Sequence, residues 1–292
     1  MRNAIEKAKI LSQALPYIQK YHDKIVVIKY GGNAMENEKL KQNVMEDVVL
    51  LTEVGVKLVL VHGGGPDINE TLNLVGKESK FVNGLRYTDK ETMDIVQMVL
   101  AGKTNKNLVN MITKLNAKAV GISGMDGHVI EAQKMQSEND LGYVGEISAI
   151  HPELIFKLIE DGYIPVIASV GTDSEGNIFN VNADLAASAI AGALNAENMI
   201  FVSNVPGVLS DPEDEDSIMT NIHISDVPKL EQAGIITGGM IPKVECCVDC
   251  VRQGVKKTVI IDGRIPHACL IEMLSDEGIG SMIVGDDYGK ED

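Results

Sequence analysis

Hydrophobic residues along the chain fall into two alternating patterns. Short aliphatic runs that end in glycine are separated by longer segments in which apolar residues recur every three or four positions. The first pattern predicts buried strands and the second predicts amphipathic helices. The predicted strands span 24–32, 57–65, 118–124, 164–171, 198–207 and 256–263, and the predicted helices span 37–54, 66–76, 89–115, 151–161, 183–195, 240–253 and 266–274.

This alternation is typical of an α/β protein with a single open, mainly parallel sheet sandwiched between helices. Two further stretches, 128–149 and 171–180, alternate apolar and turn residues and predict hairpins. Thr88 and Glu91 have the spacing of a capping box, which predicts a helix that begins near Asp89. Because ligands of such sheets bind at the carboxyl ends of the strands, we expect the site among the glycine turns found there.

The segment before the first strand has a helical pattern of its own. Residues 2–21 predict an amphipathic helix that Pro16 kinks or restarts, with an apolar stripe of Ile5, Ala8, Leu11, Leu15 and Ile18. A helix that precedes a complete α/β unit has no core of its own to cover. We therefore expect this stripe to contact a partner.

The composition restricts the classes of partner. The 292 residues are 45% hydrophobic and 23% charged, which allows a large core, and the formal net charge is −16. Such a charge opposes binding to nucleic acid and to anionic lipid. No apolar run approaches the ~18 residues that a membrane span needs, and charged residues interrupt the N-terminus where a signal peptide needs an apolar core. We expect a cytoplasmic protein that binds neither nucleic acid nor membrane.

Three of the four cysteines lie in "ECCVDC". Cys246 and Cys250 are one helical turn apart, a spacing that suits a metal site, but zinc needs four ligands and no second cysteine pair exists. Val244, Cys247 and neighbouring valines form a helical stripe. We therefore interpret these cysteines as small, reduced core residues and predict no protein metal site.

Charged residues beside the glycine turns point to an anionic ligand. "VHGGGPDI" has neither the ending of a P-loop nor the spacing of a dinucleotide fold, so the glycines alone do not name that ligand. Lys29 ends an apolar strand, where an ammonium group needs an anion, and Lys243 begins a helix whose dipole disfavours a cation. Asp184 begins another helix and is able to hold both ammonium groups. Arg86, in a turn, suits bidentate recognition of a carboxylate.

Five motifs together carry a resemblance. "KYGGNAM", "VHGGGPDI", "NGLRYTD", "NVNAD" and "GGMIPKVE", in this order and spacing, resemble the acetylglutamate kinases of the amino acid kinase family. The resemblance covers about residues 10–285. It implies the fold of that family and ATP-dependent phosphorylation of the γ-carboxylate of N-acetyl-L-glutamate, a step of arginine biosynthesis. It also implies that Lys29 and Lys243 stabilise the transferring phosphoryl group while Asp184 organises the two lysines.

The same resemblance implies binding roles for other residues. It gives substrate contacts to Gly64, Gly65, Arg86 and Asn180, with Arg86 on the α-carboxylate and Asn180 on the α-substituent. It gives nucleotide contacts to Gly31, Gly32, Ser203, Asn204, Gly207, Gly238, Gly239 and Met240. Asn204 departs from the family pattern, in which we expect Asp, so its nucleotide contact is uncharged.

The implied reaction needs no general base. A carboxylate with a reference pKa near ~4.3 is ionised at neutral pH, so the barrier lies in charge repulsion between the carboxylate and ATP. Two lysines, glycine N–H groups and one Mg²⁺ supply the stabilising charge. We expect ATP oxygens and water, rather than a protein cage, to hold the metal.

The N-terminal helix fits the arginine-inhibited, hexameric branch of this family. The resemblance implies a trimer of dimers and an arginine site formed by Tyr17, His267 and Glu272. It divides the chain into an oligomerisation helix at 1–22, an amino-acid-binding lobe at 23–195 and a nucleotide-binding lobe at 196–292.

Three alternatives remain open. The chain could be another member of the family, of the glutamate 5-kinase or carbamate kinase type. A non-catalytic arginine sensor would need a damaged centre, whereas Lys29, Asp184 and Lys243 are all present. A dinucleotide-dependent oxidoreductase fits the α/β pattern but finds no glycine turn with the right spacing.

Overall fold

The computed structural model describes residues 2–35, 37–82 and 84–289. The helices are α1 (Arg2–Gln13), α2 (Leu15–Tyr21), α3 (Glu38–Glu53), α4 (Gly65–Leu74), α5 (Lys90–Gln97), α6 (Asn105–Lys114), α7 (Glu153–Glu160), α8 (Ala183–Ala193), α9 (Val227–Gln232), α10 (Met240–Arg252) and α11 (Ala268–Leu274). The strands are β1 (Ile25–Tyr30), β2 (Lys57–His62), β3 (Phe81–Val82), β4 (Leu85–Arg86), β5 (Ala119–Ser123), β6 (Ile130–Lys134), β7 (Val144–Ile150), β8 (Ile164–Ala168), β9 (Val170–Thr172), β10 (Ile178–Val181), β11 (Asn198–Ser203), β12 (Asn221–His223), β13 (Lys257–Asp262) and β14 (Ser281–Val284).

An eight-stranded sheet forms the centre of the molecule, in the order β12-β14-β13-β11-β1-β2-β8-β5. All neighbouring pairs are parallel except β13 and β14. Its central strands are buried on both faces, which is why they read as nearly continuous apolar runs. The predicted mainly parallel sheet is confirmed.

Alternate residues of each strand face opposite layers of helices. In β1, Val27 packs in the cluster that includes α8 and α10, whereas Val26 and Ile28 pack in the cluster that includes α3, α6 and α11. This alternation directs the side chain of Lys29 to the α8 and α10 face. The sheet is therefore sandwiched between helices, as predicted.

The two predicted hairpins form a separate small sheet. β6 pairs with β7, β7 with β10, β10 with β9, and β9 with β6, so the four strands close on themselves. The last residues of β10 bring this small sheet to the start of α8.

The N-terminal segment is helical, but α1 ends and α2 begins on either side of Ala14, with Pro16 in the first turn of α2. Ile5 and Leu11 of the predicted stripe are 55% and 74% exposed. The predicted helix and its restart near the proline are confirmed, and the partner of the stripe stays a prediction.

The long predicted helix at 89–115 contains a change of winding. Between α5 and α6, residues Met98–Thr104 form a π-helical segment. The capping-box prediction was wrong in its cap: the side chain of Asp89 accepts the hydrogen bond from the N–H of Thr92, whereas the hydroxyl of Thr88 donates to the carbonyl of Arg86. The hydroxyl of Thr88 therefore does not cap α5.

The predicted lobes stay predictions. One continuous sheet crosses the boundary at 195/196, because β1 pairs with both β2 and β11. Residue 1 of the predicted oligomerisation helix and residues 290–292 of the predicted nucleotide lobe lie outside the described residues.

Candidate active site

A cavity of about 240 Å³ opens at the carboxyl ends of β1 and β2. Strand ends of a parallel sheet present unpaired backbone groups, so polar ligands bind there. Its lining includes three kinds of group, namely glycine backbone, charged side chains and the amide of Asn180. The lining residues that were predicted as site residues are Lys29, Gly31, Gly32, Gly64, Gly65, Arg86, Asn180 and Asp184.

Two ammonium groups meet one carboxylate at the cavity. The Nζ of Lys29 lies 2.8 Å from Oδ1 of Asp184, and the Nζ of Lys243 lies 3.1 Å from Oδ2 of the same residue. Lys29 comes from β1, Asp184 from the first turn of α8 and Lys243 from the first turn of α10. The sum of the three formal charges is positive, so the cluster favours an anion.

Asp184 is held in place by the start of its helix. The side chain of Asn182 accepts hydrogen bonds from the N–H groups of Asp184 and Leu185 and so caps α8. Burial opposes ionisation of Asp184, but the charges of Lys29 and Lys243 outweigh it, and the pKa of this carboxyl group lies below its usual value. The carboxylate is ionised at neutral pH.

Arg86 also lines the cavity. Its guanidinium donates to Oγ of Ser79 at 2.7 Å and to the carbonyl of Gly65 at 3.4 Å, and it stacks on the ring of Phe81. Burial lowers the pKa of Arg86, because a charged group loses hydration there. Among the described residues no carboxylate lies within ion-pair distance of Arg86. A carboxylate of a bound ligand could therefore form the ion pair with Arg86.

Thr88 joins Arg86 to Asn180. Its buried hydroxyl donates to the carbonyl of Arg86 at 2.8 Å and accepts from Nδ2 of Asn180 at 3.1 Å. Because Nδ2 is bound to Thr88, the Oδ1 atom of Asn180 is the acceptor left for another donor. This role was not predicted, because no pattern in "NGLRYTD" distinguishes it from that of a helix cap.

Two glycines at the cavity leave no room for a side chain. A Cβ on Gly64 would lie 2.6 Å from a methyl group of Leu100, which belongs to the π-helical segment. A Cβ on Gly31 would lie 3.1 Å from the Nζ of Lys29. Side chains at either position would therefore displace groups that shape the site.

The remaining predicted nucleotide residues lie outside this cavity, next to it in the fold. Ser203 ends β11 and Asn204 follows it, whereas Gly238, Gly239 and Met240 mark the start of α10. Gly207 packs against Ser281, whose Oγ accepts from the N–H of Val208 at 2.8 Å. Their nucleotide roles stay predictions.

The structure brings together only two of the three residues that were predicted to bind the effector arginine. Tyr17 and Glu272 line a second cavity of about 350 Å³, in which the hydroxyl of Tyr17 donates to the carboxylate of Asp276. His267 lies outside this cavity, at the other end of α11, where its Nδ1 lies 2.6 Å from Asp47. Lys257 was not predicted as a site residue, and its Nζ lies 3.9 Å from Oε1 of Glu272.

The cysteines of "ECCVDC" are buried, as predicted, and burial raises the pKa of Cys246 and Cys250 to about 12. Within residues 2–35, 37–82 and 84–289, no three His, Cys, Asp or Glu side chains form a group suited to a metal ion. None of the described helices combines the length and apolar character required to cross a membrane.

Known proteins are similar to this chain over nearly its full length. The model of the amino acid kinase family matches residues 24–262. The chain is 51% identical over 284 residues to the acetylglutamate kinase of Clostridium beijerinckii, covering 97% of this chain and all of that protein. It is 53% identical over 277 residues to the acetylglutamate kinase of Brachyspira hyodysenteriae, covering 95% and 96%. A crystal structure of a Streptococcus mutans protein superposes with a TM-score of 0.74 at 31% identity, covering 90% of this chain and 99% of the other.

Proposed function

We infer the function from the fact that this chain belongs to the amino acid kinase family, with acetylglutamate kinases about half identical to it over nearly its full length. It is an enzyme that phosphorylates N-acetyl-L-glutamate with ATP, in arginine biosynthesis. The product is N-acetylglutamyl 5-phosphate. The observation that supports this most strongly is the Lys29–Asp184–Lys243 cluster beside a cavity that also contains Arg86.

We propose that the two ends of the cavity bind the two ends of the amino acid. Arg86 pairs with the α-carboxylate, and Oδ1 of Asn180 accepts from the N–H of the acetamido group. The γ-carboxylate then extends toward Lys29 and the glycine turns. A free ammonium group at the α-position would carry a charge that Asn180 cannot neutralise, which favours the acetylated substrate over glutamate.

Phosphoryl transfer in this site depends on charge. The γ-carboxylate attacks the γ-phosphorus of ATP, the bond to the β,γ-bridging oxygen breaks, and ADP leaves. Lys29 and Lys243 stabilise the negative charge on the transferring group, and Asp184 fixes their positions. No group has to remove a proton, because the nucleophile is already ionised.

We propose that Mg²⁺ accompanies ATP and neutralises phosphate charge. The side chains present fit a metal held by phosphate oxygens and water, because both oxygens of Asp184 are already paired with lysines. Gly31, Gly32, Ser203, Asn204, Gly207, Gly238, Gly239 and Met240 are the proposed nucleotide contacts.

We propose that arginine inhibits the enzyme in a hexamer built from three dimers. The exposed apolar stripe of α1 supports a contact between dimers, and the cavity with Tyr17 and Glu272 supports an effector site, since a carboxylate there suits a guanidinium group. In this proposal His267 acts from outside the cavity. We further propose that the enzyme works in the cytoplasm and that residues 23–195 and 196–292 divide amino-acid and nucleotide binding.

A coupled ADP-release assay tests the reaction. N-acetylglutamate, glutamate, aspartate and carbamate are compared at equal concentration with ATP and Mg²⁺. We expect turnover with N-acetylglutamate to exceed that with the other three by a wide margin. Faster turnover with glutamate or carbamate would assign the chain to another type within the family, and absence of turnover would favour the non-catalytic arginine sensor.

A further inference from the structure

His62 is a fully buried polar residue that the mechanism above does not use. It ends β2 and directly precedes the three glycines at the cavity. Its Nδ1 lies 2.8 Å from the carbonyl oxygen of Gly63, and its Nε2 lies 3.0 Å from Nδ2 of Asn105. The imidazole thus joins the glycine turn to the first residue of α6.

The neighbours of His62 determine which nitrogen carries the proton. Oδ1 of Asn105 accepts from the Nζ of Lys106 at 3.0 Å, and Nδ2 of Asn105 also donates to the carbonyls of Val166 at 2.9 Å and Ile122 at 3.2 Å. The amide nitrogen therefore faces Nε2 of His62, and an amide nitrogen only donates. A proton on Nε2 would point at this donor, whereas Nδ1 faces a carbonyl oxygen, so the proton is on Nδ1 and the Gly63 carbonyl accepts it.

This hydrogen bond fixes the direction of a peptide plane. In a trans peptide the carbonyl of Gly63 and the N–H of Gly64 point to opposite sides. The carbonyl is held toward the buried imidazole, so the N–H is turned away from it, and Gly64 lines the cavity. Among the described residues no acceptor takes this N–H.

A peptide between two glycines needs such an anchor. Without Cβ atoms on either side, its rotation meets little steric resistance, and both orientations are accessible. We propose that His62 is a positioning residue whose Nδ1–H holds the Gly63 carbonyl and so directs the Gly64 N–H at the reacting carboxylate and phosphoryl oxygens. This inference rests on the proposed reaction, because it assigns that N–H a partner in it.

Two substitutions of His62, which place an amide at different distances from the backbone, distinguish this role from simple packing. In His62→Asn the amide reaches the place of Nδ1 and can still donate to Gly63, whereas in His62→Gln it reaches the place of Nε2 and can contact only Asn105. We expect His62→Gln to lower kcat by ~10²-fold with little change in either KM, as for loss of one preorganised donor. His62→Asn should keep most of the wild-type kcat. His151→Gln, at a half-exposed histidine outside the cavity, is the matched control.

Equal losses of kcat in His62→Asn and His62→Gln, with both variants unfolding like the wild type, would overturn the proposal. If either variant fails to fold, long-range ¹H–¹⁵N NMR of the wild-type imidazoles decides, with the His62 signal assigned against the six histidines of the chain. We expect protonation at Nδ1 at neutral pH, and protonation at Nε2 would refute the bond to Gly63.

Failure of the proposed function is recognised separately. If the wild-type enzyme does not phosphorylate N-acetylglutamate, the reaction itself is wrong and the positioning role falls with it. The NMR experiment still decides whether the hydrogen bond from His62 to Gly63 exists, because it needs no substrate.

Discussion

Replacing Thr88 by valine tests how the substrate-binding side chains are oriented. The substitution keeps the shape of the side chain and removes one hydroxyl. Two partners then lose their hydrogen bond, namely the carbonyl of the buried Arg86 and Nδ2 of the partly buried Asn180. Because each unsatisfied buried group costs about 1–3 kcal/mol, we expect a loss of unfolding free energy on the order of 2–4 kcal/mol.

The kinetic effect of Thr88→Val should fall on one substrate. Once Nδ2 of Asn180 has no partner, the amide can turn and present the wrong atom to the acetamido N–H. A loss of about 1–2 kcal/mol in binding corresponds to about a five- to thirtyfold rise in the KM for N-acetylglutamate. The KM for ATP should not change, because none of these groups lies on the nucleotide side.

Steady-state kinetics and urea unfolding of Thr88→Val and Thr88→Ser check this reasoning. The serine variant keeps the hydroxyl and loses one methyl group, so its KM should stay close to the wild-type value. Thr88 does not orient these side chains if the valine variant binds N-acetylglutamate normally, or if the serine variant is equally impaired.

Four further outcomes are expected. Lys29→Ala and Lys243→Ala should each lower kcat by ~10²-fold or more with modest changes in KM, and near-normal turnover of either would contradict their role in the transition state. Arg86→Lys should raise the KM for N-acetylglutamate but not for ATP, because an ammonium group cannot form the bidentate pair with a carboxylate. Equal effects on both KM values would count against the pairing of Arg86 with the α-carboxylate. Burial lowers the pKa of His62 from 6.5 to about 4, so between these pH values the unfolded chain binds a proton that the folded chain does not. The stability that is present above pH 6.5 is therefore lost as the pH falls toward 4. The free energy of urea unfolding should depend less on pH in His62→Asn, which has no imidazole to titrate. Deleting residues 1–22 should give an active dimer that no longer responds to arginine, measured by light scattering and inhibition assays, and a truncated enzyme that is still inhibited would disprove the role of this helix.

The sequence predicted the sheet and its flanking helices because the relevant signals are local. Apolar runs that end in glycine, and helices with periodic apolar residues, each occupy a few consecutive positions. Lys29 and Asp184 stood out for the same reason, since a charge at the end of an apolar strand or at a helix start is visible in a short window. That Lys29 and Asp184 act together in one site was implied by the resemblance.

Pairings between distant segments had no such signal. Thr88 looked like a cap because its spacing to Glu91 fitted one, and only the fold shows that its hydroxyl lies between Arg86 and Asn180. The change of winding at Met98–Thr104 was likewise not predicted, and only the fold shows that Leu100 of this segment lies close to Gly64. Lys257 reads as an ordinary strand-end lysine until Glu272 is placed beside it.

The position of β1 in the sheet has a mechanical consequence. β1 carries Lys29 and is joined by parallel ladders to β2 on one side and to β11 on the other, over residues Ile25–Tyr30. Two bodies connected by a short linker can swing as rigid parts, whereas segments that share a strand ladder can move relative to each other only by elastic twisting of the sheet. A closure that moves one side of the sheet relative to the other would therefore twist the strand that bears Lys29, and the distance between its ammonium group and that of Lys243 would report this twist.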